Sequence, residues 1–203
     1  MRITAEEKRA TRERIVKSAV DLFRSQGFDA TTTRDIASAA GIATGTLFNY
    51  FETKEALVAA LACEALALVH ADWQPDPQSS GLEEDLFALA AAEIRQLKPL
   101  RKFIGPFLET AMSPLVSRRQ SNADESRVEH LELVNLAARR QGITELTPVA
   151  LQMYWALYTG VLGFWAADKS PKQEDTLALL DESLHMFALW LRVQSGDSPT
   201  ERN

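Results

Sequence analysis

A chain of 203 residues has room for one large domain or for a small and a medium one, and 46% hydrophobic against 25% charged residues excludes disorder over most of its length. The net charge of −6 excludes a uniformly basic nucleic-acid binder. The charge is uneven, however: residues 1–60 hold 9 Lys/Arg and 8 Asp/Glu, whereas residues 61–203 hold 13 and 20. A slightly basic head on an acidic body can still dock on phosphate. No apolar run approaches the length of a bilayer span, and the polar start MRITAEEKRA carries no secretory signal. The single cysteine, Cys63, forms no intrachain disulfide, and its apolar neighbours predict a buried thiol. A cytoplasmic protein is the expectation.

Residues 1–10 are charged and read first as a solvated tail, with Arg2, Lys8 and Arg9 as an arm toward phosphate or the minor groove as the second reading. From about Thr11 to Gln26, Ile15, Ala19, Leu22 and Phe23 recur on one face of an amphipathic helix that Gly27 stops. The stretch TTTRDIASAAGIATGTLFNYFETK, residues 31–54, then holds two short helical runs joined through Gly41. Thr32 or Thr33 caps the first, whose Ile36, Ala37 and Ala40 share a face, and Gly41 supplies the left-handed turn. Ile42 and Leu47 plug back between the runs, which leaves Thr44, Gly45, Thr46, Phe48 and Asn49 facing outward. A helix of two turns is unstable alone, so its neighbours must hold it as a presenting surface. The economical reading is a helix-turn-helix whose second helix enters a DNA major groove.

Thr53 caps a further helix reaching about Ala71, and DWQPDPQSSG breaks the chain at 72–81. A helix follows over about 82–98. The next, about 100–112, contains Gly105-Pro106, and Pro106 predicts a bend and a freed carbonyl at Lys102. Asn122 to Gln141 has acidic residues in its first turn, Arg139 and Arg140 in its last, and Gly142 beyond. Two long helices close the chain, from Pro148 to about Asp168 and over about 173–194, before the tail SGDSPTERN. No segment follows a strand period, so the fold is all-α.

The last two helices carry more apolar residues than one face can use. A small-residue row, Ala156, Gly160, Gly163 and Ala167, runs beside Phe164. The final helix has one stripe of Leu177, Leu180, Leu184, Phe187 and Leu191 and a second of Leu179, Met186, Trp190 and Val193. The excess predicts a symmetric four-helix interface between two copies of the chain.

The spacing T-T-R-D-I-A-x-x-A-G-I-x-x-G-T-L-F-N-Y-F-x-x-K from Thr32 to Lys54 resembles the DNA-binding signature of the tetracycline-repressor (TetR) family of bacterial transcription regulators. The resemblance implies a three-helix head over residues 1–55 and a helical ligand-binding and dimerisation body over 56–203. It also implies a homodimer on a palindromic operator, a repressor released by a small molecule in the body. Carried over residue by residue, it places Thr33 against phosphate and Arg34 against a base edge. Thr44, Gly45, Thr46, Phe48, Asn49 and Tyr50 form the reading helix, and Lys54 meets phosphate. The chemistry agrees, since arginine grips guanine and asparagine adenine at two points. Phe48 departs from the family's common tyrosine and Ala43 from a common serine, so the cap of the reading helix is weaker or falls to Thr44.

The body is less explicit. Phe87, Phe103, Phe107, Met112, Trp73, Trp155 and Tyr158 are candidates to line a pocket for a largely apolar effector, with His70, Glu109 or Asn135 as polar contacts. His70, His130 and His185 stand singly with no pair at metal spacing, and neither a phosphate loop nor a nucleophile motif is present. No metal, cofactor or enzymatic activity is expected. The remaining alternative is a helical module that binds a small molecule or a protein without DNA; steep loss of affinity with salt distinguishes the regulator from it.

Overall fold

The computed structural model describes residues 4–112 and 121–194, and among these every regular element is helical. Helices α1 (Ala5–Gln26), α2 (Thr33–Ala39) and α3 (Thr44–Phe48) form the head. Helix α4 (Lys54–Asp72) leads into a body of α5 (Leu82–Leu97), α6 (Gly105–Met112), α7 (Ser121–Arg140), α8 (Pro148–Ala167) and α9 (Glu174–Gln194). No helix among the described residues is long and apolar enough to cross a membrane.

Helix α1 begins earlier than its apolar stripe. The Thr4 hydroxyl accepts from the Glu7 N–H while the Glu7 carboxylate accepts from the Thr4 N–H, a reciprocal cap that draws residues 5–10 into the helix. Lys8 and Arg9 are exposed, as the solvated reading predicts, but belong to the helix and not to a frayed tail; Arg2 and residues 195–203 lie outside the described residues. Ile15, Ala19 and Phe23 of α1 are buried against Ile36 and Ala37 of α2 and Leu47 of α3. At Gly41 the backbone takes φ +67°, and the Ile42 N–H reaches back to the Ala37 carbonyl at 3.0 Å, which turns α2 into α3.

In the body, α4 packs on α5, α6 and α7, while α9 packs on α5 and α8. Cys63 is buried on α4, and burial, with Glu64, Glu129 and Glu125 nearby, pushes its thiol up to about 12. The helix predicted over 100–112 is divided. A 3-10 segment, Lys98–Phe103, ends before Ile104, and α6 starts at Gly105 with Pro106 in its first turn. A proline at a helix start has no preceding turn to clash with, so the kink expected within one continuous helix does not arise.

The turn between α8 and α9 is tightly bonded. The Asp168 carboxylate accepts from the Ser170 N–H at 2.7 Å and from the Thr176 hydroxyl and N–H at 2.5 and 3.2 Å. Arg101 donates to the carbonyls of Trp165, at 2.8 Å, and Asp168, closing the end of α8. The Thr176 hydroxyl above all, with Ser170, holds the Asp168 carboxyl down at about 2. A depressed carboxyl pKa stabilises the fold above the usual carboxylate range and loses that contribution as pH falls through the folded value. Asp168→Asn should therefore lower the thermal midpoint at neutral pH, and its difference from wild type should shrink between about pH 5 and about pH 2. A difference that is constant across acid melts would contradict this.

Candidate nucleic-acid interface and ligand site

Helix α3 is five residues long and survives because the head clamps it. Thr32 and Asp35 form a reciprocal cap on α2, and the Thr32 hydroxyl and N–H hold the Asp35 carboxyl below its usual range. Leu47 is buried beneath α3, and Ile42 is half-buried beside it. Gly45, Phe48 and Asn49 are exposed, with Phe48 48% accessible, and Thr44, Thr46 and Tyr50 are half-exposed around them. Ala43 gives α3 no side-chain cap, as its departure from serine predicts. Asn49 and Tyr50 follow the last helical turn rather than continue it. At the start of α2, Arg34 is exposed and Thr33 half-buried, so both predicted contact regions lie at the surface of the head.

Lys54 occupies a different position from the one predicted. Its ammonium donates to the main-chain oxygens of Phe28, Thr31 and Asp29 at 2.8, 3.2 and 3.4 Å, and it stands 4.3 Å from the centre of the Phe28 ring. Three donors meet three carbonyls, so the assignment to phosphate is corrected. Lys54 instead ties the α1–α2 loop to the first turn of α4. Arg12 of α1 pairs with Glu64 of α4 and lies over Phe51, fixing the other side of the joint.

The predicted effector residues separate. Phe103 packs on Phe23 of the head with ring centres 5.2 Å apart, and Phe107 is buried on α6. Asn135 accepts from the Leu146 N–H at 3.3 Å and so closes the loop after α7. Glu109 is exposed, Phe87 and Trp73 are half-buried, and the side chain of Met112 lies outside the described residues. The structure does bring together His70, Trp155 and Tyr158, around residues not selected from the sequence. Glu93 Oε1 lies 2.7 Å from His70 Nε2 and 2.7 Å from His130 Nδ1. The outer nitrogens are also engaged, His70 Nδ1 with Glu129 Oε2 at 3.2 Å and His130 Nε2 with the Tyr154 hydroxyl at 3.0 Å. The His130 ring stacks on Tyr158 at 4.3 Å and meets the Trp155 ring at 5.7 Å.

The electrostatics of this cluster follow from burial. The Glu93 side chain is fully enclosed, and burial opposes its charge, yet His130 and His70 hold its pKa well below the usual carboxylate range. Burial likewise opposes a charged His70, but the bonds and charges of Glu93 and Glu129 outweigh it and raise its pKa. Burial, and then the Glu93 charge, raises both tyrosines. Two polar atoms, Glu93 Oε2 and the Tyr158 hydroxyl, are buried without a hydrogen-bond partner. The histidines expected to stand singly therefore meet, because α4 and α7 cross at this point. A legible trace existed: Glu93 and His130 occupy apolar-stripe positions of their helices, Glu93 four after Leu89 and His130 four before Val134.

Residues 15–61 match the family described as bacterial regulatory proteins, tetR family. The whole described fold is similar to that of Thermus thermophilus FadR, a TetR-family transcriptional repressor solved with lauroyl-CoA: TM-score 0.62, 23% identity, 87% of this chain and 93% of that one. The head of this chain thus matches the tetR family, within a fold similar to that neighbour's. Among curated relatives, the uncharacterized HTH-type regulator YerO of Bacillus subtilis is 36% identical over 98 residues, 48% of this chain and 30% of its own. The HTH-type repressor KstR2 of Rhodococcus jostii is 45% identical over 51 residues, 25% of each chain. The alignments thus span about a quarter to a third of these relatives' own lengths.

The last two long helices of the body carry the second predicted surface. On α8, Ala156, Gly160 and Ala167 are exposed, Gly163 is half-buried and Phe164 is exposed; a Cβ added at Gly160 or Gly163 would meet nothing within 4 Å. On α9, Leu179, Met186 and Val193 are exposed and Trp190 is half-buried, whereas Leu180, Leu184, Phe187 and Leu191 enter the core. The two stripes of α9 therefore face opposite ways, except that Leu177, in period with the buried stripe, is 41% exposed.

The head's geometry separates scaffold from contact. Lys54→Met should lower unfolding stability by about 1–2 kcal/mol, through lost charge-assisted bonds to carbonyls. Arg34→Ala should leave stability within about 0.5 kcal/mol and, as a base-edge contact, relax base preference at one position of the bound DNA. Urea melts and binding to single-base variants of the DNA check both; equal stability losses would refute the separation.

Proposed function

We propose that this chain is a ligand-responsive, DNA-binding transcriptional regulator of the cytoplasm, a repressor rather than an enzyme. The head, residues 1–55, reads the major groove through Thr44, Gly45, Thr46, Phe48, Asn49 and Tyr50, with Thr33 and Arg34 on the flanking phosphate and base edge. The body, residues 56–203, takes a small effector and pairs two copies of the chain. The observation that carries the reading is the outward face of α3: exposed Gly45, Phe48 and Asn49 on a helix too short to exist except as a presented surface.

The pairing rests on the apolar outer face of α8 and α9, where Met186 and Val193 are 57% and 63% exposed and the glycine row leaves room for close backbone approach. A two-fold dimer presents two α3 helices, and two-fold proteins read inverted repeats. That the Thermus thermophilus neighbour binds lauroyl-CoA supports an effector with an apolar part held in the body, with Trp155 and Tyr158 as its aromatic wall.

Selection of bound sequences from random duplex DNA should return an inverted repeat with half-sites about one helical turn apart. Asn49→Ala should relax preference at one position per half-site, at a cost of about 1–3 kcal/mol. No enriched repeat from dimeric protein at low salt would remove the DNA-binding reading. Met186→Glu with Val193→Glu should give a folded monomer by sedimentation, with weakened operator binding; a persistent dimer would reassign the interface.

A further inference from the structure

We propose that the body holds one divalent transition-metal ion of the zinc class, bound by His70 Nε2, His130 Nδ1 and the Glu93 carboxylate. The site goes beyond the regulator reading and does not depend on it. The three side chains come from α4, α5 and α7, and their ligand atoms lie within 4.8 Å of one another. Two imidazole nitrogens with one carboxylate suit zinc, cobalt, nickel or iron(II), whereas calcium and magnesium prefer oxygen donors.

The geometry is close to what such an ion requires. Both inner nitrogens lie 2.7 Å from Glu93 Oε1. Tetrahedral zinc ligands at about 2.0–2.1 Å from the metal stand about 3.3 Å apart. The two His–Glu93 pairs would open by roughly half an ångström, and the two imidazole nitrogens, which lie within 4.8 Å of one another, would settle to the same spacing. The outer shell is also in place. Glu129 at His70 Nδ1 and the Tyr154 hydroxyl at His130 Nε2 accept the outer ring hydrogens, leaving the inner lone pairs for the ion.

A purely structural hydrogen-bond network accounts for less. It leaves Glu93 Oε2 and the Tyr158 hydroxyl without a hydrogen bond of normal geometry, although the Glu93 carboxylate lies near enough to Tyr158 to interact with it. An ion would engage the second carboxylate oxygen, and a water on the ion would reach the tyrosine. Access exists as well: a surface cleft of about 250 Å³ between α4 and α7 is lined by His70, Glu129, Glu132, Ala67, Ala71 and Leu133. Its two carboxylates attract a cation to the opening.

The test uses full-length protein without a histidine tag, stripped with chelator. Zinc chloride is titrated by calorimetry, and cobalt chloride by visible absorption. One ion per chain should bind, and cobalt should give the intense visible bands of a four-coordinate site. Glu93→Gln, which keeps the side-chain volume, should weaken binding by at least about a hundred-fold, and Glu129→Gln, at the cleft, by about 10–100-fold. Circular dichroism confirms that each variant is folded, and if Glu93→Gln does not fold, the surface change at Glu129 decides. The proposal is overturned if folded wild-type protein shows no saturable binding at one ion per chain. It is also overturned if binding is unchanged in every folded variant, since the ion then sits elsewhere.

Discussion

Helix α4 is one uninterrupted rod, and the head and the buried cluster of the body are fastened to its two ends. At the first residue, Lys54 holds the loop at 28–31 by three carbonyls. In the last turn, His70 holds Glu93. Sixteen residues of α-helix place these anchors about 24 Å apart. An α-helix is stiff over that length, so a shift of α4 against α5 or α7 is carried to the loop under α2. The Arg12–Glu64 pair and the Phe23–Phe103 contact brace the same joint from α1. Coupling of body to head thus needs no special pathway, only two arrangements of one rod against its neighbours.

The enclosed cluster carries an energetic tension. A carboxylate with no exposure is tolerated only when positive or hydrogen-bonded groups compensate for lost water. Here two imidazoles share one of its oxygens, while the other oxygen and the nearby Tyr158 hydroxyl make no hydrogen bond of normal geometry. An apolar core of similar volume would be as stable or more so. Partly satisfied polar groups at the crossing of α4, α5, α7 and α8 are therefore better explained by a ligand that completes them than by stability alone.

Most of the fold was legible because helices bury one stripe in every 3.6 residues, and stops such as Gly27, Gly41 and Gly142 turn the chain where φ becomes positive. The opposed stripes of α9 were legible for the same reason. What failed was whatever depends on partners distant in sequence. Lys54 sits where a phosphate contact is expected, but its stem folds back onto a loop 23–26 residues earlier. His70 and His130 carry no local sign of meeting, since helical spacing compares only residues a turn or two apart. The clearest hint was chemical, a glutamate in the middle of the apolar stripe of α5. Pro106 was misread because a proline breaks a helix or begins one with equal ease, and only the 3-10 segment before it decides.

The central claim is that the outer face of α3 lies against bases. A photo-crosslinking side chain placed at Phe48, with Leu68 on α4 (64% exposed) as the comparison site, tests it most directly. Irradiation of the protein on its selected operator should join DNA through position 48 at two symmetric places in the major groove, and through position 68 not at all. Equal yields from both positions, or none from position 48 on bound DNA, would contradict the account.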